Sequence, residues 1–344
     1  MARRNTRIRI DFNSQPRLPF EEFETQESQD FGVYAPAGEE RQVFAADTAA
    51  DTDLGISPED SAASSGKRFH YISFASGSSG NSCYIGTDEG GVIVDAGIRA
   101  DQIEDILRRH GVSMRKVRGL LLTHDHSDHV RYSYNLLRNN RHLSLYCTPR
   151  VLNGLLRRHS ISKRIKEYHT PIFKEIPFKV AGMEITAFEV PHDGSDNMGF
   201  SIEFDGRRFV LATDLGSVTE RARHYMSHAN YLVIEANYDS DMLRLGRYPE
   251  YLKARIRAGN GHLDNEDTAA FLSEIVNSDL KYVFLCHLSQ DNNTPAKALK
   301  AVREALMGRG LRVGNAEETL SDRKADIQLM ALPRFDPSRW FIFK

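Results

Sequence analysis

One stretch restricts the fold more than any other. The apolar run RGLLLTH, residues 118–124, leads into THDHSDH, so His124, His126, Asp128 and His129 fall within six consecutive positions. Four such groups cannot belong to an ordinary apolar interior, where each unpaired polar group is costly. A short loop leaving a buried strand splays alternate side chains towards two nearby points. His124 and His126 are then able to bind one divalent cation while Asp128 and His129 bind a second. Imidazole nitrogen combined with carboxylate suits zinc, and manganese or iron less selectively.

The rest of the chain offers a scaffold for such a loop. Strand-like runs appear in HYISFAS, SCYIGT and GVIVDAG, a helical pattern covers Asp101 to His110, and helix and strand then alternate. A second set of strands follows in FKVAG, MEITAFEV, MGFSIEF and RRFVLATD, with the Asp-Gly turn of FDGRR between two of them. A helix at Val218 to Ser227, the buried strand YLVIEA, helices near Pro249 to Ala258 and Asn265 to Val276, the strand KYVFLCH and a helix from Pro295 to Met307 complete the pattern. Two successive halves of this kind predict an α/β protein in which two sheets pack face to face with helices outside.

Further ligand candidates stand at the downstream strand ends: His192 and Asp193 in EVPHDG, Asp214 in LATDLG, Glu235 in VIEANYD, His262 in GNGHLDNED and His287 in FLCHLSQDNN. Any one of these alone reads as a turn or cap residue. Their recurrence at strand ends favours ligands. The remaining histidines, His70, His110, His142, His159, His169, His224 and His228, lack such partners and read as surface or packing residues.

Residues 1–66 carry 13 Asp or Glu against 6 Arg and show no sustained period, so they read as a disordered acidic leader. The rest of the chain has a net charge of +5, given the overall −2. The domain is expected over 67–310, with the tail 311–344 packed on it as a final strand or edge segment. Three widely spaced cysteines exclude a disulfide framework or a Cys-rich zinc ribbon. With no membrane-length apolar run and no signal peptide, a cytoplasmic protein without membrane association is expected; the oligomeric state stays open.

The motif H-x-H-x-D-H at His124 to His129 resembles that of the metallo-β-lactamase superfamily. FASGSSGNSCYIGT, IVDAGI, LLTHDHSDHV, EANYDSDMLRLGRYP, GHLDNEDTA and HLSQDNN follow in order the pattern of its YycJ or WalJ-like hydrolases, from about Phe69 to Met307. That resemblance implies an αββα sandwich, two divalent metal ions, and a 5′ to 3′ exonuclease activity on double-stranded DNA linked to repair. It makes His124, His126 and His192 the ligands of one metal, Asp128, His129 and His287 those of the other, and Asp214 the bridge. Asp95 would hold a ligand imidazole from behind, and the Ser76 to Asn81 loop would lie beside the site. By likeness to tRNA-processing nucleases of this fold, His262 would be a catalytic helper near Asp128 rather than a ligand.

Two divalent cations, offset by two Asp carboxylates and a bridging hydroxide, would leave a charge of about +1 that suits a phosphodiester. Two basic runs, Arg157, Arg158, Lys163, Arg164 and Lys166, then Arg244, Arg247, Lys253, Arg255 and Arg257, favour nucleic acid, with DNA preferred over RNA. No sequence reader such as a helix-turn-helix is evident. The expected activity is metal-dependent phosphodiester hydrolysis of nucleic acid. The competing readings are a thioester or lactone hydrolase of the glyoxalase II type and a regulatory protein with a purely structural metal.

Overall fold

The computed structural model describes residues 67–318 and 324–344; the acidic leader lies outside the described residues. Among the described residues no helix is long and apolar enough to cross a membrane.

Two mixed sheets form, and each begins with antiparallel strands and continues with parallel ones. The first contains β1 (Phe69–Ala75), β2 (Ser82–Thr87), β3 (Gly91–Val94), β4 (Val117–Leu121), β5 (Ser144–Cys147), β6 (His169–Pro171) and β15 (Phe341–Phe343), in the order β15-β1-β2-β3-β4-β5-β6. The second contains β7 (Phe178–Val180), β8 (Met183–Glu189), β9 (Met198–Phe204), β10 (Arg207–Ala212), β11 (Tyr231–Glu235), β12 (Tyr282–Cys286), β13 (Val313–Asn315) and β14 (Ile327–Ala331), in the order β13-β14-β12-β11-β10-β9-β8-β7. Pairing is antiparallel from β1 to β3 and from β7 to β10, then parallel from β3 to β6 and from β10 to β12.

Period-two alternation shows that both faces of the second sheet are covered. Phe209, Leu211, Tyr231, Val233, Phe284 and Cys286 belong to the core shared with the first sheet. Their neighbours Val210, Ala212, Leu232, Ile234, Val283 and Leu285 pack with the outer helices α5 (Glu220–Met226), α8 (Asn265–Ile275) and α9 (Pro295–Gly308). The first sheet is covered by α1 (Ala100–Arg109), α3 (Ser133–Asn139) and α4 (Pro149–Arg158), whose Ile103, Leu107, Leu136, Leu137, Val151 and Leu155 are buried in its core. Side chains alternate across a strand, so a strand buried on both faces reads as a continuous apolar run. This is the expected αββα sandwich, with short helices α2 (Ser127–Val130), α6 (Ser240–Leu245) and α7 (Glu250–Ile256) at the polar end.

The C-terminal segment contributes more than an edge strand. β14 lies between β12 and β13 inside the second sheet, while β15 pairs antiparallel with β1 in the first. Phe343 stacks on Tyr231 with ring centroids 4.0 Å apart, and Phe341 meets Phe284 edge-on at 4.9 Å. Residues near the C-terminus thus join both sheets across the shared core. Phe341→Ala should lower unfolding free energy by about 3–5 kcal/mol, the range for truncating a buried aromatic, measured by equilibrium denaturation. A loss within 1 kcal/mol or so of zero would show that this strand is dispensable.

Candidate metal centre

The polar residues gather where strands of both sheets end. Asp95 follows β3, the segment 123–129 follows β4, His192 follows β8, Asp214 follows β10, Glu235 ends β11 and His287 follows β12. Asp95, Asp214 and His287 have φ of 59°, 52° and 53°, a left-handed backbone that costs a residue with a Cβ about 1–3 kcal/mol. The turns point these side chains back over the sheet edges.

Each of the five motif and strand-end histidines commits one ring nitrogen to a neighbour away from the centre. His124 Nδ1 lies 3.0 Å from Thr123 Oγ1, His129 Nδ1 lies 2.7 Å from Asp95 Oδ2, and His192 Nδ1 lies 2.9 Å from the Gly261 carbonyl. His287 Nδ1 lies 2.9 Å from Glu235 Oε1, and His126 Nε2 lies 3.2 Å from Asp193 Oδ1. The second nitrogen of each ring is thereby left for the centre, which is how outer hydrogen bonds orient imidazole ligands.

That arrangement creates a specific need. His192 donates Nδ1–H to a carbonyl, and where the proton of His126 stands on Nε2, facing Asp193, His192 Nε2 and His126 Nδ1 both present lone pairs in neutral rings. These two atoms stand 3.2 Å apart. Lone pairs at that separation repel unless a proton or a cation is shared between them. Nε2 of His124 and of His287 are both buried without a hydrogen-bond partner among the described residues. The donor atoms of His124, His126 and His192 come within 4.8 Å of one another, as do those of Asp128, His129 and His287, and those of His124, His129 and Asp214. A divalent cation fits this donor set: it satisfies buried nitrogens left without a hydrogen bond among the described residues.

Asp214 reaches both sides, with Oδ2 3.2 Å from His129 Nε2 and Oδ1 3.1 Å from His287 Nδ1 and 3.9 Å from His192 Nε2. His262 also has a donor atom within 4.8 Å of those of Asp214, Glu235 and His287. Its Nδ1 lies 2.7 Å from Glu235 Oε1 and 3.8 Å from Asp214 Oδ1, with the His192 and His287 rings on either side. His129 and His287 both approach Asp128, each with Nε2 3.5 Å from Oδ2.

Two positioning residues, Asp125 and His159, went unrecognised in the sequence, and Glu235 was read there as a ligand candidate. Glu235, fully buried, accepts from His262 and His287 and from the backbone N–H of Leu215 and Leu263. Asp125, also fully buried, accepts from Ser195 N–H and Oγ–H, and its carbonyl lies 2.6 Å from His159 Nε2. His159, read as a surface or packing residue, therefore supports the ligand loop. Asn81 donates to Asp128 Oδ2 at 3.0 Å, and Ser76 Oγ accepts His287 N–H at 2.9 Å, tying the Ser76 to Asn81 loop to both sheets. Asp125 was visible only as the residue between two histidines.

Charge in the centre is strongly coupled. Burial alone would push the Asp128 and Asp214 carboxyls up, but the surrounding histidines, His129 and His287 foremost, hold both well below the usual carboxylate range. Burial likewise opposes protonation of His129 and His287, yet Asp128, Asp214 and Asp95 raise the first and Asp214, Asp128 and Glu235 raise the second to about 10. Burial and its histidine neighbours push His124 well below its ordinary value. His192 is lowered to about 4, mainly by burial.

Without an ion, His129 and His287 therefore hold protons near neutral pH, and a cation must displace them. Since their folded pKa values are raised, their contribution to stability is complete below the unfolded histidine value of about 6.5 and is lost as pH rises through the folded value. Chelator-treated protein should lose thermal stability between pH 7 and 10, whereas ion-loaded protein should lose much less, as differential scanning calorimetry would show. Ion binding at pH 7.5 should release about two protons, read from titration calorimetry in buffers of different ionisation enthalpy. Parallel melting curves, or no proton release, would contradict this account.

Comparison with known proteins agrees with this geometry. Residues 91–287 match the model of the beta-lactamase superfamily domain. The chain is 35% identical over 250 residues to exodeoxyribonuclease YycJ of Bacillus anthracis, covering 72% of this chain and 93% of that protein. It is 32% identical over 247 residues to exodeoxyribonuclease WalJ of Streptococcus pneumoniae strain D39, covering 72% and 91%. Zn(2+)-bound PqqB from Methylobacterium extorquens shares the fold at a TM-score of 0.55 and 18% identity, covering 79% of this chain and 99% of that one. The chain belongs to the beta-lactamase superfamily, in its YycJ/WalJ-like family, and is a metal-dependent hydrolase.

Proposed function

We propose that the protein is an exonuclease that hydrolyses DNA from the 5′ end with two divalent ions, zinc or manganese. The nuclease reading is carried by the likeness, along 93% of its length, to a protein described as an exodeoxyribonuclease. In this reading His124, His126 and His192 hold one ion, Asp128, His129 and His287 hold the other, and Asp214 is shared. Support comes from the two neighbouring donor groups and from Asp214 reaching across them.

When bound, the ions supply Lewis-acid stabilisation of a phosphoryl oxygen and make a water acidic enough to attack near neutral pH. The chain supplies everything else. Asp95, Thr123, Gly261, Asp193 and Glu235 fix the ring that each ligand presents. Glu235 also orients His262 through Nδ1, leaving Nε2 as the atom that delivers a proton to the leaving oxygen.

Purified protein with end-labelled single- and double-stranded DNA and RNA, in Mn, Zn or Mg, should release nucleotides from the 5′ end of DNA. Turnover of thioesters or lactones with no cleavage of nucleic acid would overturn the reading. His126→Ala or Asp214→Ala should abolish turnover while far-ultraviolet dichroism stays unchanged. His262→Ala should lower turnover by ~10²- to 10⁴-fold with metal content intact, the magnitude of general acid catalysis. His287→Ala should lose one ion; elemental analysis showing the reverse pattern would exchange the two roles.

A further inference from the structure

We infer that the exposed basic stretch Arg157 to Lys166 is a backbone track along which the substrate strand is led to the metal centre. This rests on the nuclease reading and adds to it which surface carries the strand.

The two basic runs differ in how their charge is used. In the second, the Lys253 side chain is 7% exposed, with Nζ donating to the Arg244 carbonyl and lying 3.0 Å from Glu250 Oε1. Arg255 Nε is 2.8 Å from Asp193 Oδ2, Arg257 donates to the Lys253 carbonyl, and Arg244 pairs with Asp241. Arg247 and Arg257 of that run are exposed and without an acidic partner among the described residues, and Arg257 is tied to a backbone carbonyl. That run is consumed by the fold and by Asp193, the carboxylate behind His126.

In the first run, Arg157, Lys163, Arg164 and Lys166 are exposed, and none has an acidic partner among the described residues. The stretch holds no acid; the next residue is Glu167. Cations at a helix C-terminus are favoured by the helix dipole, which accounts for Arg157 and Arg158 at the end of α4. It does not account for Lys163, Arg164 and Lys166, which stand on a separate 3-10 turn at Lys163–Tyr168. Like charges gathered in so short a stretch repel one another, and a polyanion relieves that cost.

The stretch is also held firmly against the centre. Arg158 Nε lies 3.6 Å from Asp125 Oδ2 and His159 Nε2 lies 2.6 Å from the Asp125 carbonyl, so both anchor to the residue between His124 and His126. Thr148, which caps α4, donates to Asp196 in the segment that follows His192. Gly154 lets the helix lie flush on both ligand loops: a Cβ there would collide with Asp125 Oδ2 and Ser195 Oγ. Contacts of this kind read the phosphate chain and not base sequence.

The test compares the full-length protein with Arg157→Gln/Lys163→Gln/Arg164→Gln/Lys166→Gln and, as a milder change, Lys163→Gln/Lys166→Gln. Binding of a fluorescein-labelled single-stranded oligodeoxynucleotide is followed by anisotropy over a range of salt, and hydrolysis of bis(p-nitrophenyl) phosphate is followed beside it. The slope of log affinity against log salt should fall by about 0.7 per removed contact, more in the quadruple than in the double variant. Affinity at low salt should drop at least ~10-fold in the quadruple variant, with bis(p-nitrophenyl) phosphate turnover unchanged. Unaltered affinity and salt slope in both variants would overturn the track while leaving the nuclease reading intact. A wild-type protein that cleaves neither the small diester nor DNA would overturn the nuclease reading instead.

Discussion

Three buried carboxylates outside the proposed ligand sets hold the centre together. Asp95, Asp125 and Glu235 are at most 3% exposed, and a carboxylate so placed persists only where its lone pairs are taken. Asp95 takes Thr123 N–H, Thr123 Oγ–H and His129 Nδ1. Asp125 takes both groups of Ser195, and Glu235 takes two imidazoles and two backbone amides. Each one fastens loops from different strands, so the ligand loops hold their relative positions through acids that never need to touch the ions.

This division explains why strain is tolerated at the ligands. Asp214 and His287 sit in left-handed backbone. Their cost is offset because Glu235 receives Leu215 N–H on one side and His287 Nδ1 on the other, with Ser76 Oγ accepting His287 N–H from the opposite sheet. Removing an outer acid would release several turns together, whereas removing an inner ligand would leave the turns in place. Loss of ion binding with retained fold is therefore the signature of the inner set, and loss of both is the signature of the outer one.

Much of the architecture was legible because burial on both faces leaves a plain mark. MGFSIEF and SCYIGT become β9 and β2 with the expected bounds, and RGLLLTH was recognisable as the strand feeding the ligands. The short strands β5 and β6, at Ser144–Cys147 and His169–Pro171, are too short to give a period, and their pairing with β4 and with each other defines them. Ligand candidates stood out in the sequence by recurring at strand ends. Asp125 did not, because a buried Asp and an exposed one look identical in sequence; only the fold brings Ser195 and His159 to it.

The basic runs carry the same lesson in the other direction. By count they are equal, five cations each, and by sequence both stand near the site. Pairing separates them. A guanidinium held 2.8 Å from a carboxylate has little net field left for a distant phosphate, while an exposed unpaired cation keeps its own. Arg255 thus belongs electrically to Asp193 and, through it, to His126, so its charge shapes the ring that faces the ions. Arg157, Lys163, Arg164 and Lys166 have no such creditor among the described residues, and Arg158 and His159 fix their turn to the ligand loop. In the proposed reading, the basic stretch and the metal centre are joined at Asp125, so a strand drawn to the first lies beside the second.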